Sequence, residues 1–402
     1  MAFAHAPLEA DELGPMIGMF LGEGAPPKMR KMVAAGLAPL PPRDMLVGLY
    51  QVWAENGPEA ETAGKTVAGL PVPVLDGALG DPSLPPGVLD LLGRKFARDE
   101  GVLQQVVRHP KVDNESLVGV ARVCSEAICD ILADNQARWL SHPAIVASLY
   151  QNRHCRMSVV HRMIELAERE GVELGLPAMD EIRQALALSG PVDESRDAVF
   201  QVVTNTETAA EAEAQALTLF GAADVDDGLV LPEFEDPEDL AFEGELPAAD
   251  AAVDDEVSET EAEAPVTKER RLGQLLKMRP MEKIRTAMLG DKYDRSILIR
   301  DSNKIVSMAA IKSPKIRDSD AVSFSANRAL AHDVIAYISN RREWIKLYTV
   351  KLNLVMNPKT PLARSMTLLA HLNRSDIQKV SRSKNIPSAL ATAAKRKVQA
   401  RR

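Results

Sequence analysis

Apolar residues recur along most of this chain at three- and four-residue steps, as in Leu362, Met366, Leu369 and Leu372. That is the spacing of an amphipathic helix with one face turned to a core. The helical runs are broken by short turns of a common form: a polar residue, Pro, any residue, an aliphatic residue or Thr, then two or three polar or Pro residues. Such turns open LAPLPPRDMLVGL at Leu37, DPSLPPGVLDLL at Asp81, HPKVDNESLVGV at His109, SPKIRDSDAV at Ser313 and NPKTPLARSMTLL at Asn357. Proline cannot continue the preceding helix and biases the residue before it to an extended conformation. The aliphatic residue turns inward, and Asp, Ser or Pro supplies the N-cap or first turn of the next helix. The pattern predicts an all-α chain of helix pairs. Prolines 39 and 82, 82 and 110, and 314 and 358 are 43, 28 and 44 residues apart, near the 40-residue class of helical repeats.

Two halves of the chain share this pattern in register. His109–Ala121 aligns with Ser313–Ala326, with Pro110 on Pro314 at an offset of 204. Trp139 then falls on Trp344, and Asn152–Met163 on Asn357–Leu368, at an offset of 205. One residue of slippage is ordinary at a helix end. The match predicts an internal duplication.

Charge divides the chain more sharply than hydropathy does. Residues 1–205 carry 18 Lys/Arg and 27 Asp/Glu, a net of −9. Residues 206–265 carry no Lys or Arg and 20 Asp/Glu, and residues 266–402 carry 30 Lys/Arg against 10 Asp/Glu. The total of −9 therefore describes none of the parts. The middle block is rich in Ala, Glu and Asp and buries too little apolar surface to offset backbone ordering of roughly 1–2 kcal/mol per residue. It reads as a disordered linker with two apolar islands, Ala216–Phe220 and Leu229–Phe234. The expected organisation is an N-terminal segment (1–24), an acidic helical-repeat lobe (25–204), the linker (205–265) and a basic helical-repeat lobe with a basic tail (266–402). A flexible chain of that length has a root-mean-square span of roughly 40–47 Å, so the linker is expected to set the separation of the lobes.

The turns, above all Asn357–Pro361 (NPKTP), resemble those of bacterial α-helical solenoids of the HEAT/armadillo-like and variant leucine-rich repeat kind. The resemblance covers roughly residues 25–190 and 275–395. It implies stacked helical repeats, each burying its apolar face on the next, and implies little about activity. Some variant leucine-rich repeat proteins hold an iron–sulfur cluster, but the four clustered cysteines it needs are not in this chain. One enzyme class shares the architecture: alkylpurine DNA glycosylases, which use a basic groove, a Trp and a carboxylate. Arg341, Glu343 and Trp344 lie together here, but Trp139 holds the same place in the acidic copy, which favours packing.

Candidate chemistry is otherwise sparse. Cys124, Cys129 and Cys155, near His142, His154 and His161, lack the C-x₂-C spacing of structural zinc. On one continuous helix, Cys124 and Cys129 would lie about 140° apart, on different faces. They read as structural thiols, and neither a metal nor a cofactor is expected. No nucleophile elbow, metalloprotease helix, phosphate-binding loop or dinucleotide fingerprint occurs. No run of eighteen apolar residues is present, and the first residues, MAFAHAPLEADELG, lack the basic flank of a secretory signal. Three cysteines form no disulfide framework, so a cytoplasmic setting is expected.

The basic lobe carries the strongest functional signal. Arg270, Arg271, Lys277, Arg279, Lys283 and Arg285 begin it, and Lys312, Lys315 and Arg317 flank a turn. Candidate anion- or partner-binding residues are Arg317, Arg341, Arg342, Lys346, Lys351, Lys395, Arg396, Lys397, Arg401 and Arg402. Arg341 and Arg342 bracket a helix start, where the dipole disfavours cations, so an anionic partner is the better explanation for them. The expected function is a non-enzymatic cytoplasmic scaffold or adaptor that binds protein partners through helical-repeat surfaces. The alternatives are nucleic-acid binding by residues 266–402, with the acidic linker as an electrostatic mask in contact with the basic lobe, and a glycosylase-like enzyme.

Overall fold

A computed structural model describes residues 3–22, 25–190, 193–204 and 265–400. All regular structure among these residues is helical. Residues 1–206 and 277–402 form one compact unit and residues 207–276 a second. The second is described only through the helix Pro265–Lys277. The rest of the predicted linker, with both apolar islands, lies outside the described residues.

Within the large unit, helices pack mainly on those next along the chain. Pro42–Ala54 meets Ala60–Ala68, Val72–Leu79 and Pro86–Lys95, and Pro86–Lys95 meets Glu100–Arg108 and Asn114–Val123. Local chemistry sets the ends. In Glu100–Arg108, Asp99 Oδ1 accepts the Val102 amide at 3.1 Å, and Val102, Leu103, Val106 and Val107 face inward. Met157–Glu170 ends at Gly171, which takes the left-handed conformation (φ 70°) that glycine adopts without strain.

Three of the turns, two with proline and one (Asn152) without, are built from a repeated set of bonds. His109, Asn152 and Asn357 are all buried. Each accepts the amide two residues on, from Lys111, His154 and Lys359 at 3.2, 2.9 and 3.0 Å. On the other side, His109 Nε2 lies 3.0 Å from the Asp81 carbonyl. Asn152 donates to the Ala121 and Cys124 carbonyls and Asn357 to those of Ser325 and Asn327. One side chain thus closes its own turn and ties it to a turn about thirty residues earlier. The lysine after Pro110, Pro314 and Pro358 also ties back to an earlier turn: Lys111 reaches Ser83 O, Lys315 reaches Leu289 O and Lys359 reaches Leu330 O.

The two stretches that align in sequence, hereafter the first and second copy, follow the same helix order. Asn114–Val123, Gln136–Ser141, Ala144–Gln151 and Met157–Glu170 are matched by Asp318–Ala326, Arg342–Lys346, Tyr348–Met356 and Leu362–Leu369. Trp139 and Trp344 sit in the paired short helices and both are buried.

The copies are not held apart. Pro280–Leu289 packs on Ala144–Gln151, Met179–Leu188 and Asp197–Thr204, and its Met281, Ile284, Met288 and Leu289 join the same apolar cluster as the first copy. Four such side chains contribute about 6–12 kcal/mol of gross burial. This corrects the expectation that residues 205–265 set a lobe separation. Contact between the copies is direct, and the chain leaves and returns at one place: Arg153 binds Thr204 O and Leu289 O, and Arg196 binds Lys277 O.

Candidate functional site

The joint consumes much of the basic charge that begins the second copy. Arg196 pairs with both oxygens of buried Glu282 at 2.6 and 2.8 Å, and Lys312 with both oxygens of Glu181 at 2.8 Å. Arg279 reaches Asp193 at 3.3 Å and Lys283 reaches Asp301 at 2.7 Å. Arg285, expected on a charged surface, is fully buried. Its Nε donates to Tyr150 O at 3.0 Å and its Nη2 to Asn152 O at 2.8 Å. Its guanidinium also stacks 4.8 Å from the Phe200 ring centroid. Burial pulls its pKa below the ordinary value. The cation is favoured there because those carbonyls end the helix Ala144–Gln151, where the dipole is negative. Of the nine Lys and Arg from Arg279 to Lys315, all but Arg300 have such a partner.

Beyond Arg317 the situation reverses. Residues 317–402 carry seventeen Lys/Arg and five Asp/Glu. Among the described residues of this stretch, only Arg341 and Lys379 lie within 4 Å of a carboxylate. Arg317, Arg342, Lys346, Lys395 and Arg396 are exposed and Lys351 is half-buried. Lys397 is half-buried, 3.5 Å from Leu369 O. Arg401 and Arg402 lie outside the described residues. From Trp344 onward Asp376 is the one acidic residue. The hydroxyl of Tyr348 binds it and, with Lys379 at 3.1 Å, holds its carboxyl below the usual range.

Arg341 caps two helices at once: it is the C-cap of His332–Asn340, where the dipole favours a cation, and the N-cap of Arg342–Lys346, the helix start expected from the sequence. It also stacks over Tyr337 and Trp344 at 5.7 and 5.5 Å. The two helix ends oppose each other at Arg341, so the dipole argument for an anionic partner holds only for Arg342. Trp344 is buried edge-on to Tyr337, and Trp139 donates to Ala133 O at 2.9 Å. Neither indole has an open face for stacking a base, so the glycosylase-like arrangement finds no support at either.

Two surface depressions stand out. A cleft of about 570 Å³ in the first copy is lined by Arg108, His109, Asp134, Asn135, Arg138 and Trp139, among others. Arg138 is tied down within it, its Nε on Asn114 Oδ1 at 2.8 Å and its Nη2 on Val112 O. A groove of about 660 Å³ in the second copy lies between Leu362–Leu369 and Ser388–Ala400. Its walls include Met366, Ala389 and Ala393, and its rim carries Arg396 and Lys397. Neither depression was legible in the sequence, since each forms between helices whose contact the apolar spacing does not specify.

The cysteines correct a second expectation. The helix breaks at Cys124, which is extended (φ −70°, ψ 162°). The next helix, Glu126–Asp134, carries Cys129 back so that the two sulfurs lie 3.6 Å apart. All three cysteines are buried. The hydrogen bond with Cys124, then burial, pushes the Cys129 thiol far up, and Cys155 is raised chiefly by its bond with Cys129. Asn152 Nδ2 lies 3.4 Å from Cys129 Sγ. Neutral thiols of this kind pack rather than react. Among the described residues, no set of three or more His, Cys, Asp or Glu is arranged to hold a metal ion, and no helix is long and apolar enough to cross a membrane. No known protein family, characterised protein or solved structure matches this chain.

Proposed function

We propose that this protein is a non-enzymatic helical-repeat scaffold, of the α-solenoid class its turns resemble, that holds an anionic protein partner on the surface of residues 317–400. The observation that carries this reading is the sorting of charge. From Arg279 to Lys315 every basic residue but Arg300 is spent on ion pairs or backbone carbonyls, whereas beyond it Arg317, Arg342, Lys346, Lys395 and Arg396 are exposed, in a stretch with seventeen Lys/Arg against five Asp/Glu. Surplus like charge destabilises a compact state through self-repulsion, and a partner of opposite sign relieves it. A cytoplasmic setting belongs to the same reading.

Nucleic acid is the second reading, since phosphates answer the same charge through counterion release. The protein reading is favoured by exposed Leu362 and Met366 beside the cations. It is also favoured by the absence of Phe, Tyr and Trp from Thr349 to Arg402. Binding of single strands relies on aromatic platforms.

The test is co-purification with tagged full-length protein, with and without nuclease, alongside R317E/R342E/K346E. These side chains are exposed, so circular dichroism of the triple variant should match the parent. A partner that survives nuclease and is lost with the variant supports the scaffold. One lost with nuclease supports the second reading. Equal capture by the variant refutes both.

A further inference from the structure

Resting on the scaffold reading, we infer that the groove between Leu362–Leu369 and Ser388–Ala400 docks an acidic amphipathic helix of the partner protein. Met366, 41% exposed, lines the groove, and Leu362, 43% exposed, lies one helical turn before it on the same helix. Across the groove, Ala389 and Ala393 are also one turn apart, and their small side chains leave room for a partner's Leu or Phe. The groove thus offers Ala389 and Ala393 at the spacing of a helix, with Met366 opposite them. Sheet addition has no edge to use, because none of the described residues forms a strand.

The rim selects the sign of the partner. Arg396 and Lys397 line it, Lys395 adjoins them, and no carboxylate is among the lining residues. The nearest acidic residue in sequence, Asp376, is already bound by Tyr348 and Lys379. A helix with a Leu stripe flanked by Glu or Asp would cover the apolar floor and neutralise the rim at once. A nucleic acid would meet the cations, but it would leave the floor unfilled and find no aromatic ring there.

The experiment uses full-length protein and a fluorescein-labelled designed peptide of about sixteen residues, roughly four turns, with Leu at helical spacing and Glu elsewhere. A permuted peptide keeps the composition and breaks the spacing. The periodic peptide should bind about tenfold more tightly, and Met366→Ser should remove about tenfold of its affinity. Arg396→Glu should weaken it about fivefold, an effect that shrinks in about 0.5 M salt. Lys351→Glu, outside the groove, should change affinity by less than about twofold. Equal binding of the two peptides, or an unchanged affinity in Met366→Ser, overturns the inference, as does an oligouridine that binds more tightly than the periodic peptide. If the groove variants have no effect while R317E/R342E/K346E still loses its cellular partner, the docking site is wrong and the scaffold reading stands.

Discussion

Replacing Arg285 asks whether the two copies are one cooperative body. The guanidinium is buried with no carboxylate in hydrogen-bond contact, and it is held by Tyr150 O and Asn152 O and by the Phe200 ring. Arg285→Ala leaves both carbonyls without that donor, at about 1–3 kcal/mol each. It also leaves a cavity between two rings, while recovering part of the several kcal/mol that burying a cation costs. The expected net loss is about 3–5 kcal/mol. Arg285→Met fills the space and removes the buried charge but replaces neither hydrogen bond, so about 1–3 kcal/mol is expected. Arg285→Lys keeps the desolvation cost with fewer fixed donors and should fall between them. The assay is urea unfolding followed by helical circular dichroism. The parent should unfold in one transition, because Met281, Ile284, Met288 and Leu289 share the first copy's core. A loss under about 1 kcal/mol for alanine, full rescue by lysine, or two separate transitions in the parent would refute the reasoning.

Four further outcomes are expected. Lys359→Met should destabilise by about 1 kcal/mol, because Nζ binds Leu330 O at 2.6 Å and Ala329 O at 3.2 Å. Lys346→Met, exposed and without an ion pair, should leave the unfolding midpoint unchanged. Gly87→Ala places a methyl 2.3 Å from the Tyr50 hydroxyl, which donates to Ala6 O. It should lower the midpoint and expose the segment around His5 and Ala6 to proteolysis, and unaltered cleavage there would refute the contact. Burial opposes ionisation of Asp90, but the His5 and Arg94 contacts outweigh it and hold its carboxyl below the usual range. Its contribution is therefore present above about pH 4, the unfolded value, and is lost as pH falls through the lower folded value. The stability gap between the parent and Asp90→Asn should be constant above about pH 5 and shrink below about pH 4.

The sequence alone determined the features that depend on neighbours a few residues away. Proline turns ended helices where Pro42 and Pro86 open the next ones. The register that pairs Trp139 with Trp344 and Asn152 with Asn357 was legible because each pair performs the same packing or turn-closing task in its own copy. The division of charge was legible by counting. Only tertiary structure decided which cations are free. Arg285, Lys312 and Lys315 sit in a basic run like Arg342 and Lys346, and nothing local marks them. Their partners, Tyr150, Glu181 and Leu289, lie 135, 131 and 26 residues away. The same holds for Cys124 and Cys129, brought together by a helix break that periodicity does not reveal. It holds too for the groove beside Met366, which is walled by two helices, Leu362–Leu369 and Ser388–Ala400, that are not neighbours in sequence. A side chain's type states what it can bind, and the fold decides whether that capacity is satisfied inside the molecule or left for another.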